Sequence, residues 1–154
     1  VENKVVFEYD ADRNILFTED EWDVKTREDV DNFFDEYVRF FEKLGKKVYI
    51  VANINNLLVR AAIADYYGEI SMKTVEKYVL GLARWGTNDW ARMTVRTTSL
   101  KAKMTPNIHI TREEAIQAIL EMQEKGEEPG SFETPQEKDD TDESQGSGEP
   151  PEEQ

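Results

Sequence analysis

Thr26-Arg-Glu-Asp-Val-Asp-Asn-Phe-Phe-Asp-Glu-Tyr-Val-Arg-Phe-Phe-Glu-Lys-Leu-Gly45, followed almost at once by Lys47-Val-Tyr-Ile-Val-Ala52, decides the fold. Apolar side chains recur at Val30, Phe33, Phe34, Tyr37, Phe40, Phe41 and Leu44, which is the period of one helix face. Asp31, Asp35, Glu36, Arg39, Glu42 and Lys43 take the other side. Thr26 is the expected N-cap, Glu28 and Asp29 oppose the positive end of the helix dipole, and Gly45 supplies the stop. The run that follows is short and nearly all apolar, which suits a central strand. A helix feeding such a strand is half of a crossover unit, so the expected class is α/β with right-handed crossovers.

Working back toward the N-terminus, Val5, Phe7 and Tyr9 alternate on one face of a short strand. Asp10 to Asn14 has turn chemistry, and Ile15 to Glu19 forms the second arm of a hairpin. Trp22 and Val24 extend that arm beyond a bulge at Asp20-Glu21. Working forward, Asn53 to Asn56 is expected to break the chain after the central strand, and Leu57 to Tyr67 to be helical. Gly68 is expected to interrupt that helix. Ser71 would then cap another with a stripe at Met72, Val75, Tyr78, Val79 and Leu82, ending near Trp85. Arg92 to Thr98 alternates like a strand, Leu100 to Met104 suits a helical turn, and Asn107 to Ile110 forms a last strand. Thr111 and Glu114 match a capping box for a final helix that closes at Gly126. The sum is a mixed sheet of about five strands opening with a hairpin.

The composition divides the chain in two. Of 154 residues with net charge -14, residues 126–154 hold eleven acids and one base, Lys138, with no Leu, Ile, Val or Met. A segment so polar cannot bury enough apolar surface to offset its ordering, so 127–154 is expected to be a disordered acidic tail on a domain spanning 1–126. The body carries 22 acids and 18 bases. No large basic excess exists for phosphate contacts, so nucleic-acid binding is not expected. No apolar run is long enough for a membrane span, and Val1-Glu-Asn-Lys shows no apolar core of the signal-peptide kind. The absence of cysteine excludes disulfides and thiolate metal sites and fits a cytoplasmic setting.

Candidate binding residues follow from position and chemistry. Asn53, Asn55 and Asn56 would sit beyond a strand's carboxyl end, where α/β sheets hold ligands, although a turn followed by a helix cap is the plainer account. Trp90, Tyr66 and Tyr67 are aromatic residues of the kind that anchor interfaces. Arg60, Arg84, Arg92 and Arg96 could grip an anion if they converged, though a solvated face is the better expectation. His109 is expected to be structural, and Glu19, Asp20, Glu21 and Asp23 to form a solvated rim. The signatures of dinucleotide, phosphate-loop, serine-hydrolase and zinc-protease sites are absent, so no catalytic residue, cofactor or metal is expected.

Four features resemble the STAS family of anti-sigma-factor-antagonist-like domains, and more narrowly its bacterial SEC14-like branch. They are the opening hairpin, the helix from Glu28 to Leu44, the apolar strand Val48 to Ala52 ending in a polar loop, and Ile108-His-Ile-Thr-Arg-Glu-Glu-Ala-Ile-Gln-Ala-Ile-Leu120. The resemblance covers residues 4–125 and implies a non-enzymatic bacterial domain that binds a protein partner. In signalling members a Ser or Thr in the loop after the central strand is phosphorylated. The matching stretch, Asn53 to Arg60, contains no Ser, Thr or Tyr, so that switch is not expected here. The leading expectation is a regulatory module acting by reversible pairing with a protein partner or a second copy, through Asn53, Asn55, Asn56, Arg60, Tyr66, Tyr67 and Trp90. The alternatives are a small-ligand or lipid-binding module, with a pocket between the aromatic-rich helix and the one from Met72, and a small enzyme.

Overall fold

The computed structural model describes residues 2–126. The acidic tail expected over 127–154 lies outside the described residues. A hairpin of β1 (Lys4–Asp10) and β2 (Ile15–Val24) leads into α1 (Arg27–Leu44) and the long strand β3 (Val48–Val59). A 3-10 turn at Ala61–Ile63 leads to α2 (Ala64–Tyr78), β4 (Val79–Trp85), α3 (Asp89–Lys101), the short β5 (Ile108–His109) and α4 (Arg112–Lys125). The five strands lie in sequence order; β1 is antiparallel to β2, and every later pair is parallel.

Both expected capping boxes form. The Thr26 and Thr111 side chains accept from Asp29 and Glu114 backbone N–H groups, and those carboxylates reach back to the cap backbones. Helices α1, α2 and α3 pack on one face of the sheet. There Phe33 and Phe41 of α1, Tyr67 and Val75 of α2, and Val95 of α3 meet Leu16, Ile50, Ile54 and Leu57. Each such large apolar side chain contributes about 1.5–3 kcal/mol on leaving water. Helix α4 covers part of the other face, setting Ala115 and Ile119 against Ile15, Tyr49, Val51 and Ala83.

The middle of the chain departs from expectation in three places. First, β3 does not stop at Ala52. Its pairing with β2 slips between Glu19↔Asn53 and Glu21↔Asn56, so one extra residue is absorbed in β3. That bulge lets Ile54 and Leu57, three residues apart, both enter the same core. Asn53, Asn55 and Asn56 are therefore strand residues, not a terminal loop, and no helix spans 57–67.

Second, a single helix runs through Gly68 and Ser71. Gly68 is not a break: a Cβ there would lie 3.2 Å from Ala102 Cβ and from Thr98 O, so its bare backbone is what lets α2 approach α3 closely. Ser71 is buried within the helix and caps nothing. At Tyr78 the helix passes straight into β4, which replaces the helix expected to continue to Trp85. Third, residues 92–98 are helical, not extended. Asn88 caps α3 through the Ala91 N–H, and Ala91, Val95, Thr98 and Ser99 form its buried side.

Candidate functional site

The seven expected partner-binding residues cannot all share one surface, because Tyr67 is buried. Asn53 Oδ1 accepts from the Asn55 N–H at 3.0 Å. Asn55 Oδ1 in turn accepts from the Thr87 and Asn88 N–H groups at 2.8 and 3.1 Å, fastening the loop after β4 to β3. Asn56 is exposed at the bulge. Arg60 forks onto Asp23 at 2.8 and 2.7 Å, which holds the Asp23 carboxyl below its ordinary value. Tyr66 donates to Asp31 at 2.7 Å beneath the Arg27 guanidinium, tying α2 to α1. Tyr67 is not a surface residue at all: it is 5% exposed and packs on Phe33 and Phe34. Trp90 alone presents a large free apolar surface, at 55% exposure.

Trp90 is not isolated in this. Met93 and Leu100 on the same helix are 50% and 58% exposed. With Thr97, these residues follow spacings of three and four and so share one side of α3. Arg96 and Lys101 flank the stripe, and Lys103 follows the helix. Between Asp89 and Glu113 the chain has no acid, in a protein whose overall charge is -14. Lys101 pairs with Asp65 at 3.3 Å, while Arg96 and Lys103 make no ion pair among the described residues. Arg92 differs, donating to the Gly86 and His109 carbonyls at 3.1 and 2.9 Å. The four arginines thus do not converge.

The interior holds the opposite arrangement. Asp20 and Arg84 are 5% and 7% exposed and line a cavity of about 40 Å³ between α1, α2 and the sheet. Asp20 is therefore no part of a solvated rim. It accepts from Tyr37 Oη at 2.6 Å and from Thr18 Oγ1 at 3.0 Å, and burial pushes its carboxyl up to about 6 against those two bonds. Arg84 donates Nη1 to the Pro106 carbonyl at 2.8 Å, and burial lowers its pKa. No ion pair within 4.0 Å joins the two charges. Phe33, Phe34 and Phe41 wall the cavity, so a void does occur where the aromatic helix led a ligand pocket to be sought. The signal missed in sequence is parity: Asp20 falls in step with Leu16, Thr18, Trp22 and Val24, all buried.

Elsewhere, a larger hollow of about 280 Å³ lies on the α4 face. It is bounded by Val6, Glu8, Phe17, Glu19, Trp85 and Arg112, with the Arg112 guanidinium 4.3 Å from the Phe17 ring. His109 is half-buried, with Nε2 2.8 Å from Asn107 Oδ1, and burial lowers its pKa. Among the described residues no group of three metal-ligating side chains gathers, and no helix is long and apolar enough to cross a membrane. The class these features define is an α/β domain with an apolar, cation-flanked helix face outside and a polar cavity inside. No protein-family model matches the chain, and no curated protein matches its sequence.

Proposed function

We propose that this domain is a non-catalytic interaction module of STAS-like type, and that the outer face of α3 docks an acidic, amphipathic segment of a protein partner. The observation that carries this reading is the stripe of Trp90, Met93 and Leu100, each half or more exposed, flanked by Arg96 and Lys101. Exposed aromatic and Met side chains are typical anchors of interfaces. Clustered cations in an otherwise acidic protein select a partner of opposite charge and speed its encounter. The opening hairpin and the following strand–helix units on a parallel sheet also support the STAS-like assignment. Such a module needs no reacting groups, and the surface residues Arg60 and Tyr66 serve to hold the scaffold that presents α3.

The test is a photo-crosslinking residue placed at Thr97 of the full chain in its native host, with the linked peptides identified by mass spectrometry. The expected product joins α3 to an acidic segment of another protein and disappears in the double substitution Met93→Glu, Leu100→Glu. Crosslinks only to this chain's own acidic tail or to a second copy would overturn the reading, as would products unchanged by the double substitution.

A further inference from the structure

The cavity between α1 and α2 contains more donors than the protein itself satisfies. Arg84 carries five N–H groups, of which one bond, to the Pro106 carbonyl, is made among the described residues. The hydroxyls of Tyr67 and Ser71 make no hydrogen bond there, although these residues are only 5% and 6% exposed. Tyr67 and Ser71 lie one helical turn apart on α2, and both line the same cavity as Arg84. These donors are not sealed off: among the described residues Trp22 Nε1 is the one buried side-chain polar atom without a partner, so Arg84, Tyr67 and Ser71 present theirs to the open space of the cavity, where a ligand can accept from them. We infer that this cavity is a binding site for a small monoanion of three or four heavy atoms, such as formate, acetate or nitrate, with Arg84, Tyr67 and Ser71 as its donors.

Size and surroundings support this ligand class. A cavity of about 40 Å³ has room for roughly three water-sized groups at about 10–15 Å³ each. The phenyl walls of Phe33, Phe34 and Phe41 offer a larger or strongly hydrated ion nothing in exchange for its water. Asp20 is the one carboxylate lining the cavity. It is engaged by Tyr37 and Thr18 rather than by Arg84, so the guanidinium face stays open. An entering anion meets that like charge, and Asp20, raised by burial to about 6, relieves it by taking up a proton. Tyr37 and Tyr67 also face Asp20, but burial holds both phenols protonated, so Asp20 and Arg84 set the charge of the cavity. Binding therefore tightens as pH falls, by about tenfold per unit above pH 6, with little further gain below it.

The experiment is an NMR titration of the full chain with sodium acetate, formate and nitrate, at ionic strength held constant with gluconate, which is too large to enter. The expected result is saturable shifts at Tyr67, Ser71 and the Arg84 side chain, with acetate methyl protons close to the rings of Phe33 or Phe34. Tyr67→Phe and Ser71→Ala each remove one hydroxyl and little volume. Each is expected to weaken binding at least fivefold while leaving the folded spectrum intact. Three results would overturn the inference: shifts that never saturate, affinities unchanged in both variants, or water alone in the cavity at the highest acetate concentration. None of these outcomes depends on α3.

Discussion

The space beneath α1 and α2 and the outer side of α3 depart from apolar-inside, polar-outside in opposite directions. Under α1 and α2, Asp20, Arg84, Tyr67 and Ser71 put polar groups where the surrounding Phe33, Phe34 and Phe41 make the site otherwise dry. On α3, Trp90, Met93 and Leu100 put apolar groups where water is. The outer and inner sides of helix α1 show the ordinary arrangement on the same sheet face. Its outward positions are Asp31, Asn32, Asp35, Arg39 and Glu42, and its inward ones are apolar. Folding stability explains α1 but neither exception. Donors that face a cavity without a protein partner and exposed apolar anchors both add nothing to the packing of the isolated domain, and both gain contacts once something binds.

This contrast can be broken at several points. The largest effect belongs to the ordinary core: Phe33→Ala is expected to lower unfolding free energy in urea by about 3–5 kcal/mol, because a side chain 1% exposed leaves a void under α1. A loss below about 1 kcal/mol would mean that α1 does not clamp the sheet as described. Next comes Asp20. Its carboxyl titrates near 6 in the fold against 3.8 when free, so the unfolded chain gives up its proton first as pH rises. At about 1.4 kcal/mol per unit, stability is lost between pH 4 and pH 6, reaching a cost of about 3 kcal/mol above that range. Asp20→Asn should lack this component, so the difference between variant and wild type should grow by that amount from pH 4 to pH 7. Asp10, Asp23 and Asp29, all held low in the fold, are common to both proteins and cancel.

Smaller still, Thr26→Ala removes one side of the α1 capping box and should cost about 1 kcal/mol. Smallest of all, Met93→Lys and Leu100→Lys should change stability by no more than about 0.5 kcal/mol, while abolishing the crosslink expected from Thr97. A thermal melt of each lysine variant checks the first half of that statement. A large loss would make the α3 stripe part of the core after all.

The hairpin, α1 with its two caps, and α4 were legible because each satisfies local rules and core packing together. The region from Asn53 to Thr98 was not, for identifiable reasons. The bulge at Asn55-Asn56 shifts the alternation of β3 by one residue, so a continuous strand looks like an apolar run followed by a polar break. Helix α2 and strand β4 share a border at Tyr78-Val79 without Gly, Pro or Asn to mark it, and the helical stripe runs on by coincidence through Val79 and Leu82. In α3 the buried side includes Thr98 and Ser99 while Met93 faces out, so the helical period is blurred and a false alternation of Met93, Val95 and Thr97 appears. Of the candidate site residues, Trp90 kept its expected exposure. Asn53, Asn55 and Arg60 went to internal contacts, Asn56 stayed exposed, and Tyr67 went to the core, because hydrogen-bonding capacity and aromaticity do not reveal which way a side chain points.

The border at Tyr78-Val79 has one more consequence, concerning where the chain tolerates a change of length. Val79 already has extended geometry, with φ -121° and ψ 133°, while its N–H still donates to Val75 O of the last helical turn. Two residues further on, Gly81 lies under α4, where a Cβ would come within 2.7 Å of Met122 Sδ. Between these two points the pairing of β4 with β3 slips, from Val48↔Val79 to Tyr49↔Gly81, so the joint already absorbs one extra residue of β4. One further residue beyond that irregularity would turn the side chains that follow it to the opposite face, sending Leu82 and Arg84 toward α4 and Ala83 toward α1. The exposed tip at Ala11-Asp12 has no such constraint. Homologues of different length are thus expected to differ at the hairpin tip and to keep the helix-to-strand joint without a single insertion.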